Sequence, residues 1–133
     1  MEKIAGAMIV RQQQILLGKR SATRQVYPGI WDIFGGHMEA GESPEQTLQR
    51  ELTEELGITI TAWKYIETLN EPGGNRFGKI VYHWYLVTEW DGVPTNVQPE
   101  EHDYIQWFSR DEALRLDFPD PAYYRLFTDA LSS

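Results

Sequence analysis

Three leucines spaced four residues apart form the clearest periodic pattern in the chain. Because each residue of a helix turns by 100°, Leu48, Leu52 and Leu56 fall within an arc of about 80° on one face. The same stretch carries its own boundary signals, namely a serine N-cap, a helix-starting proline, a capping-box glutamine and a glycine suited to ending a helix. These are Ser43, Pro44, Gln46 and Gly57. We therefore predict an amphipathic helix over residues 44–56.

Shorter apolar runs on both sides of this helix predict strands. They cover residues 4–10, 14–19, 31–34, 60–69, 80–87 and 105–108. The run 80–87, IVYHWYLV, is apolar on both alternations, which is typical of a central strand covered on both faces. Ser109 is placed to cap a short helix that extends to about Leu116. An amphipathic C-terminal helix carries Tyr124, Leu126, Phe127 and Leu131.

The composition limits the functions that the chain can serve. A chain of 133 residues is expected to form one domain, 1–133. The formal net charge of −8 argues against general binding to nucleic acid or to a membrane surface, which both favour a basic face. The absence of cysteine excludes a disulfide framework and a thiol nucleophile. The first ten residues are too short and too acidic for a secretory signal, so we expect a cytoplasmic protein.

The predicted helix carries a concentration of acid. Glu51 and Glu55 stand one turn apart, where like charges destabilise an isolated helix by about 0.2–0.5 kcal/mol. Glu54 and Glu55 also lie near the negative C-terminal end of the helix dipole. A divalent cation would remove both penalties, since carboxylate oxygens are the ligands that Mg²⁺ prefers. Arg50 is positioned to pair with Glu54, four residues later. The alternative is a solvated acidic helix face.

The spacing of these residues decides between the two interpretations. Residues 36–58 follow the Nudix box, G-x5-E-x7-R-E-U-x-E-E-x-G-U, where U is a bulky apolar residue. The matching residues are Gly36, Glu42, Arg50, Glu51, Leu52, Glu54, Glu55, Gly57 and Ile58. The chain thus resembles the Nudix hydrolases, and their MutT-like nucleoside triphosphate pyrophosphohydrolase branch in particular. The resemblance implies an α/β (α+β) fold, a mixed β-sheet in an α/β/α sandwich, with the box forming a loop–helix–loop.

The resemblance also implies metal and catalytic roles. It implies Mg²⁺, with Mn²⁺ as an alternative, held by Glu51, Glu54, Glu55 and the Gly35 carbonyl. MutT-like proteins carry a further glutamate six residues before the tryptophan of a later strand, which serves as an outlying metal ligand or as the base. Glu101 has this spacing from Trp107, with Glu100 and Asp103 as alternatives. The implied catalytic residues are Glu51, Glu54 and Glu101, and the choice of general base between Glu51 and Glu101 stays open.

Candidate substrate-binding residues lie ahead of the box. In MutT-like enzymes an arginine at the end of the second strand reaches the substrate phosphates, and Arg20 matches it. The strand before the glycine pair often reads W-E-F-P-G-G and lines the base pocket, whereas residues 31–36 here read WDIFGG. The glycines, expected to form a turn, let the backbone approach a metal or phosphate closely. His37 follows, either touching phosphate or serving a structural role. The candidates are Arg20, Asp32, Ile33, Phe34, Gly36 and His37.

Two more candidates follow the box. Lys79 supplies positive charge just before the strand of residues 80–87. In family members that hydrolyse oxidised guanine nucleotides, an asparagine near the start of the last helix reads the base. Ala122 takes that position here and has no polar side chain, which leaves Asp120 as the nearby substitute.

The function that the resemblance implies is hydrolysis of a nucleoside triphosphate, of the oxidised or pyrimidine deoxynucleotide kind, to monophosphate and pyrophosphate. Activity on 8-oxo-dGTP belongs to this class. The alternative is a Nudix hydrolase of ADP-ribose or a nucleotide sugar. A third interpretation is a nucleotide-sensing module without activity, although this chain keeps all the box glutamates, which such modules usually lose. The expected partner is a small nucleotide, with no nucleic acid or membrane, and the protein is expected to be a monomer or a homodimer.

Overall fold

The computed structural model describes residues 2–23, 28–70 and 80–131, which contain seven strands and three helices. The strands are β1 (Glu2–Arg11), β2 (Gln14–Arg20), β3 (Trp31–Asp32), β4 (Phe34–His37), β5 (Thr59–Asn70), β6 (Ile80–Asp91) and β7 (His102–Ser109). The helices are α1 (Pro44–Leu56), α2 (Arg110–Ala113) and α3 (Ala122–Ala130). Within these ranges none of the helices combines the length and the apolar character that a membrane crossing requires.

The strands form a mixed sheet organised around β1. Strand β1 runs parallel to β6 and antiparallel to β2 and β4. Strand β5 pairs with the other edge of β6, and β2 pairs antiparallel with both β3 and β7. Strand β6 therefore lies between β1 and β5, which confirms the interior position predicted from its apolar run.

Alternating side chains divide the core into two layers, one on each face of the sheet. The layer beneath α1 contains Leu48, Leu52 and Leu56, all fully buried, so the predicted apolar stripe is confirmed. The opposite layer contains Trp84 of β6 and Phe127 of α3. Helices on both faces of a mixed sheet give the α/β/α sandwich that the resemblance implies.

Local signals define the box helix as predicted. The Ser43 hydroxyl accepts a hydrogen bond from the Gln46 backbone N–H at 3.2 Å, and the Gln46 side chain accepts one from the Ser43 N–H at 2.9 Å. The helix ends where Gly57 adopts φ of 70°, a left-handed conformation that glycine takes without steric cost. Helix α2 is shorter than predicted and ends at Ala113, because the following bonds to Leu116 are single tight turns.

The glycine pair lies in a strand, and the predicted turn is wrong. Gly35 and Gly36 belong to β4 and pair with Gly6 and Ala5 of β1. A Cβ on Gly35 would collide with the Ala5 carbonyl oxygen, so the absent side chain permits the close pairing. The predicted strand 31–34 is also divided at Ile33, because β3 pairs with β2 whereas β4 pairs with β1.

Candidate functional site

Arg50 connects the acids of the box. Its Nε and Nη2 donate to both carboxylate oxygens of Glu42, at 2.7 and 3.0 Å, and its Nη1 donates to Glu51 Oε1 at 2.9 Å. Nη2 also donates to the His37 carbonyl at 3.1 Å. The pairing with Glu54 predicted from the four-residue spacing is present, but at 3.4 Å it is the longer contact. The Arg50 guanidinium lowers the pKa of Glu42 to about 2. Arg50 thus fixes the loop before α1 and the carboxylate of Glu51 relative to each other.

Glu55 is a buried acid surrounded by other acids. Its side chain is 5% exposed, and its Oε2 accepts a hydrogen bond from the Gly35 N–H at 3.0 Å. Burial raises the pKa of Glu55 well above its ordinary value, and the negative charges of Glu51, Glu101 and Asp32 raise it further. An ionised carboxylate is costly in such a place unless a positive charge accompanies it.

Glu51 lies directly against the second glycine of β4. Its carboxylate takes the space that a Cβ on Gly36 would need, so a larger residue at position 36 would displace it. Burial raises the pKa of Glu51, and the hydrogen bond from Arg50 opposes this rise. The exposed fraction of the Glu51 side chain is 18%, compared with 48% for Glu54, which lies at the open edge of the cluster.

A loop fastened to the end of α1 brings in two further side chains. The Thr95 and Val97 N–H groups donate to the carbonyls of Leu56 and Glu55 at 3.0 and 3.1 Å. As a result, ligand atoms of Glu55, Glu101 and His102 all lie within 4.8 Å of one another. Such carboxylate and imidazole groups are ordinary ligands of divalent cations. The residues present therefore fit a divalent metal, because a cation would compensate the buried like charges.

Asp32 forms the neighbouring part of the site. Its Oδ1 accepts hydrogen bonds from the Ile33 N–H and from the Tyr123 hydroxyl, both at 2.8 Å. Arg20 Nη1 lies 4.0 Å from Asp32 Oδ2. Tyr123 is 4% exposed, and its ring contacts Trp84 edge-on with ring centroids 4.8 Å apart. Strands β2 and β3 and helix α3 therefore meet at the Asp32 carboxylate.

The remaining candidate substrate-binding residues are Ile33, Phe34, His37, Asp120 and Lys79. The Ile33 and Phe34 side chains are buried in the two core layers, so contact with a ligand is left to their backbone groups. His37 is exposed, with its Nε2 3.5 Å from Glu2 Oε2. Asp120 is buried, and its Oδ1 accepts from the Ala122 N–H at 2.7 Å at the start of α3. Lys79 lies outside the described residues.

Two residues of this region have no counterpart in the sequence-based prediction. The Tyr123 hydroxyl meets Asp32 across 91 positions, a contact for which no local pattern exists. His102 directly follows Glu101, and strand alternation would send consecutive side chains to opposite faces. Here Glu101 lies in the turn before β7 and is not part of the strand. The pairing of β2 with β7 also shifts register between Lys19 and Arg20, where β7 begins. Such irregularities change the direction of a side chain, which explains why both residues contribute to one cluster.

Comparisons with known proteins agree on one family. The family model described as NUDIX domain matches residues 2–130. The chain is 36% identical over 115 residues to the CTP pyrophosphohydrolase of Escherichia coli strain K12, an alignment that covers 86% of this chain and 81% of that protein. It is 34% identical over 86 residues to the 8-oxo-dGTP diphosphatase of Proteus vulgaris, covering 65% and 74% of the two chains.

Comparison with solved structures also finds a member of this family. The MutT NUDIX hydrolase from Burkholderia pseudomallei superimposes with a TM-score of 0.83 at 29% identity, covering 98% of each chain. The E. coli ORF135 protein superimposes with a TM-score of 0.77 at 34% identity, covering 96% of this chain and 86% of that one.

Proposed function

Because the chain belongs to the NUDIX domain family and is a hydrolase of that family, we propose that it cleaves nucleoside triphosphates to monophosphate and pyrophosphate. We assign this activity to one Nudix domain over residues 1–133, with its box at residues 36–58. The observation that carries the proposal is the meeting of Glu55 and Glu101, whose ligand atoms lie within 4.8 Å of each other and of His102. Glu55 is bonded to the Gly35 N–H, and Glu51 lies against Gly36, the other glycine of β4. The relatives named as a CTP pyrophosphohydrolase and an 8-oxo-dGTP diphosphatase support this choice of substrate class.

The acidic cluster is the proposed site of Mg²⁺, with Mn²⁺ as the alternative. Glu51, Glu54, Glu55, Glu101 and the Gly35 carbonyl are the groups assigned to hold it. When bound, the metal neutralises phosphate oxygens and orients substrate and water for in-line attack. The chain's own residues position two of these ligands, since Arg50 donates a hydrogen bond to Glu51 and the Gly35 N–H donates one to Glu55.

A carboxylate of the cluster acts as general base toward the attacking water. The candidates are Glu51 and Glu101, and such assistance typically contributes about 10²–10⁴-fold to the rate. We favour Glu51, because Arg50 holds one of its oxygens at 2.9 Å and thereby fixes the orientation of the carboxylate. Glu54 and Glu55 then act primarily as ligands.

Arg20, Asp32 and Asp120 are assigned to the nucleotide. Arg20 ends strand β2 next to Asp32, with its Nη1 4.0 Å from Asp32 Oδ2. Its guanidinium group carries the positive charge and the donors that suit a phosphate. Asp120 is buried and the Asp32 side chain is 14% exposed. A carboxylate accepts hydrogen bonds from amino groups such as the N4 amino group of cytosine. We therefore propose that bases with an exocyclic amino group, cytosine and oxidised guanine, are preferred over uracil and thymine.

A panel of nucleotides tests the proposed function. CTP, dCTP, 8-oxo-dGTP, UTP, dTTP and ADP-ribose are compared at equal concentration, with Mg²⁺, with Mn²⁺ and with a chelator. The expected result is metal-dependent release of pyrophosphate from CTP, dCTP or 8-oxo-dGTP, with slower turnover of UTP and dTTP. Rapid turnover of ADP-ribose without turnover of any triphosphate would replace the proposed substrate class.

Tyr123 is expected to be a positioning residue for Asp32. Changing Tyr123 to Phe removes the 2.8 Å hydrogen bond to Asp32 and keeps the ring within its aromatic packing. KM is expected to rise roughly two- to tenfold, the effect of one net hydrogen bond of about 0.5–1.5 kcal/mol. The value of kcat should stay nearly unchanged, since the lost interaction contributes equally to the ground state and the transition state.

The adjacent tyrosine provides a matched control. The Tyr124 hydroxyl donates to the Leu116 carbonyl at 2.6 Å, so Tyr124→Phe removes a hydroxyl from the same helix without touching Asp32. Its KM should equal that of the unchanged protein. Equal shifts of KM in the two variants would show that general loosening of α3 is responsible, and would remove the positioning role from Tyr123.

A further inference from the structure

A buried histidine adjoins the acidic cluster and has no assignment in the reaction described above. His102 is 4% exposed and opens strand β7. One of its ring nitrogens lies within 4.8 Å of ligand oxygens of both Glu55 and Glu101. In an octahedral site with bonds of about 2.1 Å, opposed ligands are about 4.2 Å apart. Small side-chain rotations would therefore bring these three groups to coordination distance of one ion.

The loop that is bonded to the end of α1 also holds the backbone of His102. The Asn96 Nδ2 donates to the His102 carbonyl at 2.9 Å, and the neighbouring Val97 N–H donates to the Glu55 carbonyl. The same short loop is thus bonded both to the strand that carries the imidazole and to the helix turn that carries Glu55. This arrangement holds the backbone of His102 and the backbone of Glu55 near each other before any ion binds.

The His102 ring packs into the space that the missing side chain of Gly18 leaves open. A Cβ on Gly18 would lie 2.6 Å from His102 Cδ2 and 2.9 Å from Phe34 Cζ, so the glycine of β2 leaves room for both rings. The His102 and Phe34 rings contact each other with centroids 5.1 Å apart. Packing on two sides limits the rotation of the imidazole, which is the preorganisation expected of a ligand that must present one nitrogen to a cluster.

We propose that His102 supplies a nitrogen ligand to the divalent cation held by Glu55 and Glu101. This inference rests on the proposed function, because that function places the metal in this cluster. It adds a nitrogen donor to a set of carboxylate oxygens, and imidazole favours transition metals over Mg²⁺. The site therefore prefers Mn²⁺ or Co²⁺ to Mg²⁺ more strongly than carboxylates alone would.

Pulsed electron paramagnetic resonance of the full chain loaded with Mn²⁺ measures this bond directly. A coordinated imidazole produces ¹⁴N modulation of the electron spin echo, which oxygen ligands do not produce. The unchanged protein is expected to show this modulation, and His102→Gln is expected to lose it. His102→Gln should also bind Mn²⁺ at least about tenfold more weakly, since even groups that only orient a metal ligand contribute about 10- to 100-fold to metal affinity.

The chain offers a matched control for the assignment, because it contains three histidines. His83 accepts or donates a hydrogen bond with Thr68 at 2.9 Å on the β5–β6 pair, and His83→Gln should keep the modulation. If His102→Gln does not fold, as judged by circular dichroism, the double variant His37→Gln with His83→Gln leaves His102 as the only histidine. Retained modulation in that variant supports the proposal, and its loss overturns it.

The outcomes separate this inference from the proposed function. Bound Mn²⁺ without ¹⁴N modulation in the unchanged protein, or failure to bind Mn²⁺ at all, overturns the role of His102. If the triphosphate panel is nevertheless hydrolysed with Mg²⁺, the proposed function stands without it. Absence of hydrolysis with every metal overturns the proposed function, whatever the spectrum shows.

Discussion

Glu55→Gln is expected to lower kcat by about 10²–10³-fold at saturating metal, and at the same time to raise the melting temperature of the metal-free protein. The loss of activity follows because the amide is a poorer metal ligand, and the metal contributes several kcal/mol to stabilising the transition state, with about 1.4 kcal/mol for each factor of ten. Pyrophosphate release over a range of Mg²⁺ concentrations measures it.

The gain in stability has a separate cause. Glu55 is buried beside Glu51 and Glu101, and these charges together with burial raise its pKa well above the ordinary value. Glutamine has the same shape, carries no charge and still offers an oxygen to the Gly35 N–H. A rise of about 4 °C in the presence of a chelator would correspond to roughly 1 kcal/mol in a domain of this size.

An exposed acid provides the control for Glu55. Glu89→Gln removes one negative charge near the end of β6, at an exposed position outside the cluster. Neither kcat nor the melting temperature should change appreciably. A Glu55→Gln variant with unchanged turnover would remove Glu55 from the metal site, and a lower melting temperature in chelator would contradict the cost assigned to its buried charge.

Arg50→Ala is expected to lower kcat by about 10²-fold and to reduce thermal stability as well. The Arg50 guanidinium bonds to Glu42, Glu51 and the His37 carbonyl, so its removal releases the Glu51 carboxylate and the loop before α1 together. A displacement of about 1 Å in a catalytic group can cost about 10²-fold in rate. Steady-state kinetics and thermal unfolding of the same samples measure both effects.

Lysine at position 50 distinguishes charge from geometry. A lysine ammonium keeps the positive charge but cannot form the paired contacts that Nε and Nη2 make with the two oxygens of Glu42. Arg50→Lys should therefore recover only part of the lost activity. Full recovery would mean that the positive charge alone is required and would contradict the connecting role described for Arg50.

A second arginine pair controls for the loss of an ion pair in general. Arg125 makes two hydrogen bonds of 2.9 Å to Glu67, but both side chains are substantially exposed. Exposed pairs contribute little to stability. Arg125→Ala should accordingly leave kcat unchanged, so a loss of activity comparable to that of Arg50→Ala would show that the effect is not specific to the box.

The box helix and its acids could be predicted because their signals are local. The caps at Ser43 and Gly57 act within one turn, and the stripe of Leu48, Leu52 and Leu56 follows from helical periodicity. The spacing of the glutamates in the same segment sufficed to indicate the family, which the comparisons confirm, and with it the mixed sandwich fold. The individual site roles stay predictions.

The other half of the site depends on contacts between distant segments. Glu55 meets Glu101 and His102 only because a loop bonds to the end of α1. Tyr123 reaches Asp32 only because α3 packs on the face of the sheet that carries Trp84. The glycine pair is likewise a strand because β1 lies beside it. Helix periodicity and capping are properties of a few neighbouring residues, so the sequence alone determined α1 and the order of its acids. Strand register and loop attachment depend on which segments pack together, and the tertiary structure alone decided which side chains surround those acids.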